Sequence, residues 1–594
     1  MGIAILAGNI LFAAGFFLAV AGIYRQRKSE KTLLGIAWGV ISVLMVLCFH
    51  VLAAPVVMAL QIPCSVTSFG ILDAVLGISL LFYEYRTGSR QEYVWEKLDV
   101  FAILGLAVFV AALGVIRYGF PVRFVYISTD AATHYHEAFM VFLTGKVDAM
   151  YFSSLNNSFL LSFFSMIYKE TDLYRAESYI DMIWLYLSGI SLYAFIRKDN
   201  WGKCGKIAGG GLLLLYLLGY PLNHMITGFL YQGMGVTLVI FLWKILEEYL
   251  EGNASENTAQ WYLLAGCGGL ICCYALYVPP VFLAVFVILA WKAWSERKVF
   301  YVWAAREFFV FAYPCFIGLW FTYRGIFKDG VTVTNAISRE GYIYRNNFTD
   351  FVPFLFLFFL GIFHRIKKRK SYCLLVFFLL EGAYMLIMFC ASLTEAVSAY
   401  YYYKNNYLMW AFVFLFAYEG LEEIAEKKGQ EIMLACFAAW ILPVVVVLAE
   451  IPPKISAANE YLAENPQEGY DYCRIYMENF CAMTREVDRA EHLDKEPFKK
   501  ELYEKAYAIY QSEKKRICPV MNVRERYFEE AITNQWYVPY LYMKTKEIKE
   551  YAKETQPEYL CVIKDSKEYK KYEELWERFP KVFENSAGFI AVYK

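Results

Sequence analysis

No excess of either charge marks this chain. Its 57 Lys and Arg balance 57 Asp and Glu, so there is no global electrostatic case for nucleic acid as a partner. The 14 cysteines contain no pair of CxxC motifs that would mark a zinc site. Most are scattered through apolar segments such as "GCGGLICCYAL", where they read as small core residues. Cys473, Cys481, Cys518 and Cys561 lie in a polar tail, where sequence alone cannot pair them into disulfides. The amino terminus, "MGIAILAGNILFAAGFFLAVAGIYRQRK", lacks a basic n-region, and its basic cluster follows the apolar run. It therefore reads as a retained helix, not as a cleaved signal peptide. No internal repeat is visible in the apolar part.

What the sequence does have is oil. Hydrophobic residues make up 59% of the chain and aromatic residues 19%. A run of about 20 apolar residues spans the hydrocarbon core of a bilayer. Candidate spans fall at 3–24, 32–51, 66–83, 99–117, 176–196, 206–222, 225–247, 260–276, 279–294, 304–324, 350–366, 371–392, 407–421 and 431–451. The expected fold is thus an α-helical polytopic membrane protein with about 14 transmembrane helices, and the lipid bilayer is its first partner. The abundant Tyr and Phe fit interfacial belts.

Orientation follows from Lys and Arg in short loops. One alternate set holds "RQRKSEK" (25–31), "YRTGSRQEYVWEK" (85–97), "RKDNWGKCGK" (197–206), "WKAWSERK" (291–298) and "HRIKKRK" (364–370), which are expected in the cytoplasm. One loop of that set, "EEYLEGNASENTAQ" (247–260), is acidic and dissents. Both termini then face outward. Three outward segments are long: 118–175, 325–349 and the tail. Pro452 and Pro453 stop the last helix. Beyond them, "EPFKKELYEKAYAIYQ" and "DSKEYKKYEELWERF" have helical periodicity, while "EYLCVIK" and "GFIAVYK" read as short strands. The expected organisation is an N-terminal three-helix membrane extension (1–98), a transmembrane domain (99–452) with its outward loop 118–175, and an extracytoplasmic α/β domain (453–594).

Within the first outward loop stands "STDAATHYHEAF". On a helix, Asp130, His134 and Glu137 are spaced i, i+4, i+7 and share one face, while His136 points elsewhere. A carboxylate serves as a general base, and a neighbouring imidazole orients it or shares its proton. Asp130 and His134 also have donor types suited to a divalent cation, the one cofactor the residues suggest. The plainer alternative is an amphipathic interfacial helix with solvated charges. Its flanks, "FVYI" and "FLLSFFSMIY", would lie on or dip into the membrane.

A second group is "SAYYYYKNNY". Its Lys404 is either a point charge for a phosphate or a snorkelling interfacial lysine. Tyr402 and Tyr403 line a substrate cavity or form part of a belt. In "SREGYIYRNNF", Arg339 and Arg345 either clamp a phosphate or meet lipid headgroups, with Tyr342 and Tyr344 beside them. Two tighter outward turns bring His224, Tyr231 and Gln232 ("YPLNHMITGFLYQ") and Tyr277 ("LYVPP") toward the same cavity. His224 has the alternative of an ordinary interfacial histidine.

An acidic residue on the first large outward loop, just after a span and followed by interfacial helices, resembles the GT-C superfamily of integral membrane glycosyltransferases. The segments "EGYIYR", "YYYYKNNY" and "FPKVFENSAGFIAVYK" look like those of uncharacterised bacterial members. The likeness covers residues 99–594 in layout. The acidic pair familiar in that family is not here: Asp130 is followed by Ala131 and Ala132, and the spacing is D-x-x-x-H. The resemblance implies a polyprenyl-phosphate or polyprenyl-diphosphate sugar donor and an extracytoplasmic glycan, lipid or protein acceptor. It implies that Asp130 is the base, with His134 orienting it and Glu137 beside it. Lys404, Arg339 or Arg345 would neutralise the departing phosphate, with inversion at the anomeric carbon. The tail would bind the acceptor or close the site, in a bacterial plasma membrane. The rival classes are an O-antigen-type polymerase or ligase and a transporter or flippase of lipid-linked sugars. The transporter would keep its ionisable residues near the bilayer midplane.

Overall fold

The computed structural model describes residues 2–26, 33–87, 93–120, 122–124, 126, 130–147, 153–197, 201–327, 348–442, 474–484, 497–513, 516–521, 548–550, 552–553 and 556–593. The helices of the membrane region run in order as α1 (Gly2–Arg25), α2 (Gly35–Ala59), α3 (Val66–Thr87), α4 (Lys97–Tyr118), α5 (Asp130–Thr144), α6 (Ser154–Phe164), α7 (Ala176–Ile196), α8 (Lys203–Leu218), α9 (Tyr220–Thr227), α10 (Leu230–Leu250), α11 (Glu256–Ile271), α12 (Val278–Ser295), α13 (Phe300–Phe327), α14 (Leu355–Lys367), α15 (Cys373–Leu393) and α16 (Ala399–Lys428). A shorter apolar helix, α17 (Gln430–Leu442), follows. Among the described residues, 11 helical segments are long and apolar enough to cross a membrane, with α8 and α9 counted as one. The chain is a multi-pass helical membrane protein.

Three of the expected spans are realised differently. The one at 260–276 is α11, only 16 residues long, which ends where the chain turns at Cys272–Tyr274. The one at 407–421 is the middle of the 30-residue α16, whose polar first turns and acidic end dilute its apolar centre. The one at 431–451 is described only to Leu442, as α17. Helix α16 packs closely along α14, backbone against backbone. A Cβ on Gly361 would lie 1.8 Å from the Phe416 carbonyl oxygen, and one on Gly420 would lie 2.2 Å from that of Leu357.

The basic loops share one end of the bundle. Arg25 pairs with Glu84, strands β1 (Leu33–Leu34) and β2 (Tyr93–Val94) pair in parallel, and Arg197 meets Asp99 at 2.9 Å. The dissenting acidic loop lies at the same end and supplies counter-ions. Glu247 receives Arg365 at 2.8 Å, and Glu256 receives Lys298 at 2.7 Å. Its acidity is local pairing and does not reverse the topology.

Helix α6 is buried inside the bundle. Its sequence, "SLNNSFLLSFF", carries polar groups that find partners on surrounding helices. Asn9 of α1 donates to the Ser162 carbonyl at 2.9 Å, and the Ser162 hydroxyl donates back at 2.8 Å. Asn156 donates through Nδ2 to the Leu47 carbonyl, so its Oδ1 faces His50 Nδ1 at 2.9 Å. The other ring nitrogen of His50 lies 2.9 Å from Asp73 Oδ2 of α3. Each ring nitrogen therefore faces an acceptor, and one proton sits on the Nε2–Oδ2 axis. Phe12, Phe69 and Phe159 surround the imidazole at 5.4–5.6 Å. Helices α1 and α2 are thus bolted to α6 by buried polar contacts.

The tail combines helices with a small sheet. Helices α18 (Arg474–Thr484), α19 (Pro497–Glu513), α20 (Lys567–Lys571) and α21 (Glu573–Trp576) accompany strands β3 (Ile517–Val520), β4 (Tyr559–Ile563), β5 (Lys581–Glu584) and β6 (Gly588–Val592). The sheet order is β3-β4-β6-β5, parallel between β3 and β4 and antiparallel elsewhere. Trp576, Phe589 and Leu560 anchor its core. The two expected helical stretches and both expected strands stand where the periodicity put them. Cys518 and Cys561 are buried on neighbouring strands, while Cys473 lies outside the described residues.

One element of the tail belongs to the bundle. In α18, Ile475 is fully buried and Asn479 nearly so. Asn479 Nδ2 donates to the Leu218 and Gly219 carbonyls at 2.8 and 2.7 Å. Both stand where the helix breaks between α8 and α9, and the Gly219 carbonyl also accepts from the Asn223 N–H at 3.1 Å. Arg117 of α4 donates to the Ala482 carbonyl. Farther along, Lys500 and Tyr507 of α19 hold Asp172 and Glu170, just before α7.

Candidate active site

Asp130 opens α5, where a carboxylate meets the positive end of the helix dipole. The expected helix is present, but it does not lie amphipathically on a surface. Ala131, Ala132, His134, Tyr135, His136, Ala138 and Phe139 are all buried, and Asp130 and Glu137 are half-buried. His136 is enclosed as well, on another face of the helix.

The turn between α9 and α10 presses on the start of α5. Gly228 has φ 74°, and a Cβ there would lie 2.6 Å from the Ala131 Cβ. Only glycine meets both conditions. This close approach lets His134 hydrogen-bond the Gly228 backbone. The His134 ring also sits 4.2 Å from the Tyr231 ring. Burial, aided by the charge of Lys404, pushes His134 down to about 3, so it is a neutral imidazole. The Glu137 carboxylate acts electrostatically on the Tyr231 phenol.

Lys404 does not snorkel. It is buried in the second turn of α16, a helix capped by Ser398, whose side chain accepts from the Tyr400 N–H. Its ammonium lies over the rings of Phe229 at 4.4 Å, Tyr400 at 4.5 Å and Tyr274 at 5.8 Å. Such an aromatic cage replaces part of the lost hydration. The Lys404 carbonyl accepts from Gln232 Nε2 at 2.9 Å and from the Tyr277 hydroxyl at 3.3 Å. The ammonium acts electrostatically on Asp130, whose enclosure raises its carboxyl above the ordinary range while Lys404 opposes that rise. His224 stacks on Tyr407 at 4.6 Å and also feels Lys404. Tyr407 donates to Asn223 at 2.6 Å, and Asn223 donates to Asn479 at 2.8 Å, which ties the tail to this wall.

Asp130, His134, Glu137, Tyr231, Gln232, His224 and Lys404 therefore come from four elements into one neighbourhood. Tyr402 does not join them: it packs against Phe389 on α15 at 5.4 Å. Its neighbour Tyr403 packs against the core beside it. Arg339, Tyr342, Tyr344 and Arg345 lie outside the described residues.

The apolar appearance of two spans hid further acids. Glu177 and Asp181, spaced i, i+4 at the start of α7, are almost wholly buried. Tyr126 donates to Asp181. Both Glu177 oxygens lack a hydrogen-bond partner among the described residues, and the charges of Asp181 and Glu137 act on it. Glu381 in α15 is likewise buried with both oxygens unpartnered among the described residues, and it acts on Tyr277. The i, i+4 acid pair was visible in "AESYID" but was absorbed into a span by its apolar surroundings.

A divalent cation fits this site poorly. It would have to sit beside the Lys404 ammonium, whose charge already acts on both Asp130 and His134. Among the described residues, the group of three donors with mutually close ligand atoms is His364, Glu423 and Glu426, at the basic end. There Lys367 and Lys427 bond Glu423, and Lys368 bonds Glu426, so the carboxylates already have cations. No known protein family, curated protein or solved structure matches the chain.

Proposed function

We propose that the chain is a membrane glycosyltransferase of GT-C type. It moves a sugar from a polyprenyl-phosphate or polyprenyl-diphosphate donor to a hydroxyl of an extracytoplasmic glycan, lipid or protein. One observation carries this reading: the meeting of Asp130 and His134 on α5 with the caged ammonium of Lys404 on α16. Sugar transfer needs a proton acceptor on one side of the anomeric carbon and a positive charge for the leaving phosphate on the other. Asp130 takes the acceptor's proton as its oxygen attacks. Lys404 meets the departing phosphate, and the configuration inverts. Neutral His134 orients Asp130 or the sugar, and Glu137 acts electrostatically on Tyr231. By the positive-inside rule the basic end faces the cytoplasm, so α5 and the tail work outside the plasma membrane.

The test is Asp130→Asn in the purified chain, supplied with radiolabelled polyprenyl-phosphate hexoses and an envelope extract as acceptor. Transfer is expected to be lost while thermal unfolding is unchanged; normal transfer would remove Asp130 from the mechanism. A second reading, transport of a lipid-linked sugar, is favoured by buried Glu177, Asp181 and Glu381 and by the break between α8 and α9. It predicts movement of labelled donor across proteoliposomes with its sugar–phosphate bond intact.

A further inference from the structure

At the basic end, opposite α5, a cavity of about 260 Å³ opens among α2, α7, α10, α14 and α16. A water's share of liquid volume is about 30 Å³, so the cavity holds roughly eight waters' worth of space. That is room for a molecule the size of one sugar ring.

Its walls are of two kinds. Trp38, Trp243 and Tyr418 give aromatic surface. Apolar residues such as Phe195, Ile196 and Leu415 add to this surface, and the polar part is mostly charged, with every cation already paired. Arg365 holds Glu247 and Glu419 at 2.8 and 2.7 Å, and Lys244 holds Glu248 at 2.8 Å. Lys370 holds Glu422 at 2.8 Å, and Arg197 holds Asp99 at 2.9 Å. An anion would have to displace a carboxylate, and a cation would have to displace a guanidinium or ammonium. A neutral ligand with many hydroxyls needs neither. Each hydroxyl donates to a carboxylate oxygen or accepts from a cationic N–H without breaking a pair, while its ring lies on an aromatic face.

One buried group also calls for such a ligand. Trp243 is only 3% exposed, and its Nε1 has no hydrogen-bond partner among the described residues. An indole N–H buried without an acceptor is costly. Trp243 lines this cavity, and a turn of its indole that brings the occluded Nε1 to the cavity wall would let a hydroxyl oxygen accept from it.

We propose that this cavity is a binding site for an uncharged polyhydroxylated molecule of monosaccharide size. The proposal stands apart from the transferase reading, because the site lies at the other end of the bundle and shares none of its residues. The experiment is calorimetric titration of the full chain in lipid nanodiscs with glucose, galactose and N-acetylglucosamine, each beside inorganic phosphate and glycine as charged probes. Saturable binding of at least one sugar is expected, weakened about tenfold in Trp243→Phe, which keeps the ring and removes the donor. Glu248→Gln is a second variant, should the first not fold, and is also expected to weaken the sugar. The proposal is overturned if no sugar saturates, if phosphate or glycine saturates in its place, or if both variants bind like the parent chain.

Discussion

The His50–Asp73 pair gives the sharpest test of how buried polar groups hold α6. Asn156 fixes the outcome: its Nδ2 is committed to Leu47, so only its acceptor faces His50. One proton therefore bridges His50 and Asp73 across 2.9 Å, with both side chains fully buried. His50→Ala removes the partner and leaves the Asp73 carboxyl alone among phenylalanines. Removing one member of a buried pair costs about 3–5 kcal/mol. Asp73→Asn should behave differently. One amide N–H donates to a neutral His50 Nε2, while Nδ1–H still donates to Asn156, so both ring nitrogens keep a partner and only the second amide N–H gains none. The expected cost is about 1–3 kcal/mol. A third variant replaces both residues with leucine and is expected to recover most of the His50→Ala loss, because an apolar pair of similar volume needs no proton. Equilibrium unfolding in mixed micelles, followed by tryptophan fluorescence, ranks the three. The reasoning is refuted if Asp73→Asn is as damaging as His50→Ala, since the proton would then not be shared as the hydrogen bonds require.

Other outcomes follow from the candidate site. Lys404→Met keeps the volume inside the Phe229, Tyr400 and Tyr274 cage but removes the charge; kcat/KM for the lipid-phosphate donor should fall by at least tenfold, and an unchanged value would leave Lys404 a packing residue. Gly228→Ala forces a side chain into φ 74° and onto Ala131; a loss of about 1–3 kcal/mol in stability is expected from the backbone alone, together with a loss of turnover as α5 shifts. The pH profile carries a signed prediction. The Asp130 carboxyl is raised by enclosure, so the base form is lost, as pH falls, at a higher pH than for an ordinary carboxylate. His134, at about 3, stays neutral through the working range and adds no limb near pH 6.5. A limb there that vanished in His134→Gln would overturn this assignment.

Much of this was legible in the sequence, and the exceptions have physical causes. Apolar runs and loop charge fixed the spans and the shared basic end, because both are local properties. The Asp130–His134–Glu137 face was legible for the same reason: three residues within two turns reveal their geometry once the helix is assumed. Lys404 could be singled out, but not its cage, since Phe229 and Tyr274 come from distant turns. Glu177, Asp181 and Glu381 were masked by the hydrophobicity around them, which is the averaging that finds spans in the first place. His50 and Asp73 sat on separate helices with nothing in either to announce the other. The acidic loop 247–260 argued against its own topology until Arg365 and Lys298 were seen to face it. Helix α18 was assigned to a separate domain because its composition is mixed, yet its Asn479 belongs to the bundle.

That last contact has a consequence for how the molecule is made. The Leu218 carbonyl stands at the break between α8 and α9, where a bilayer offers no donor, while that of Gly219 already accepts from the Asn223 N–H of α9 at 3.1 Å. Asn479, which donates to both, emerges from the ribosome some 260 residues later. Until then the break between α8 and α9 lacks these bonds. Maturation should therefore have a late step in which the tail returns to the bundle and seats α18. A chain halted before residue 474 should insert all its spans and still be handled by the quality-control machinery as unfinished.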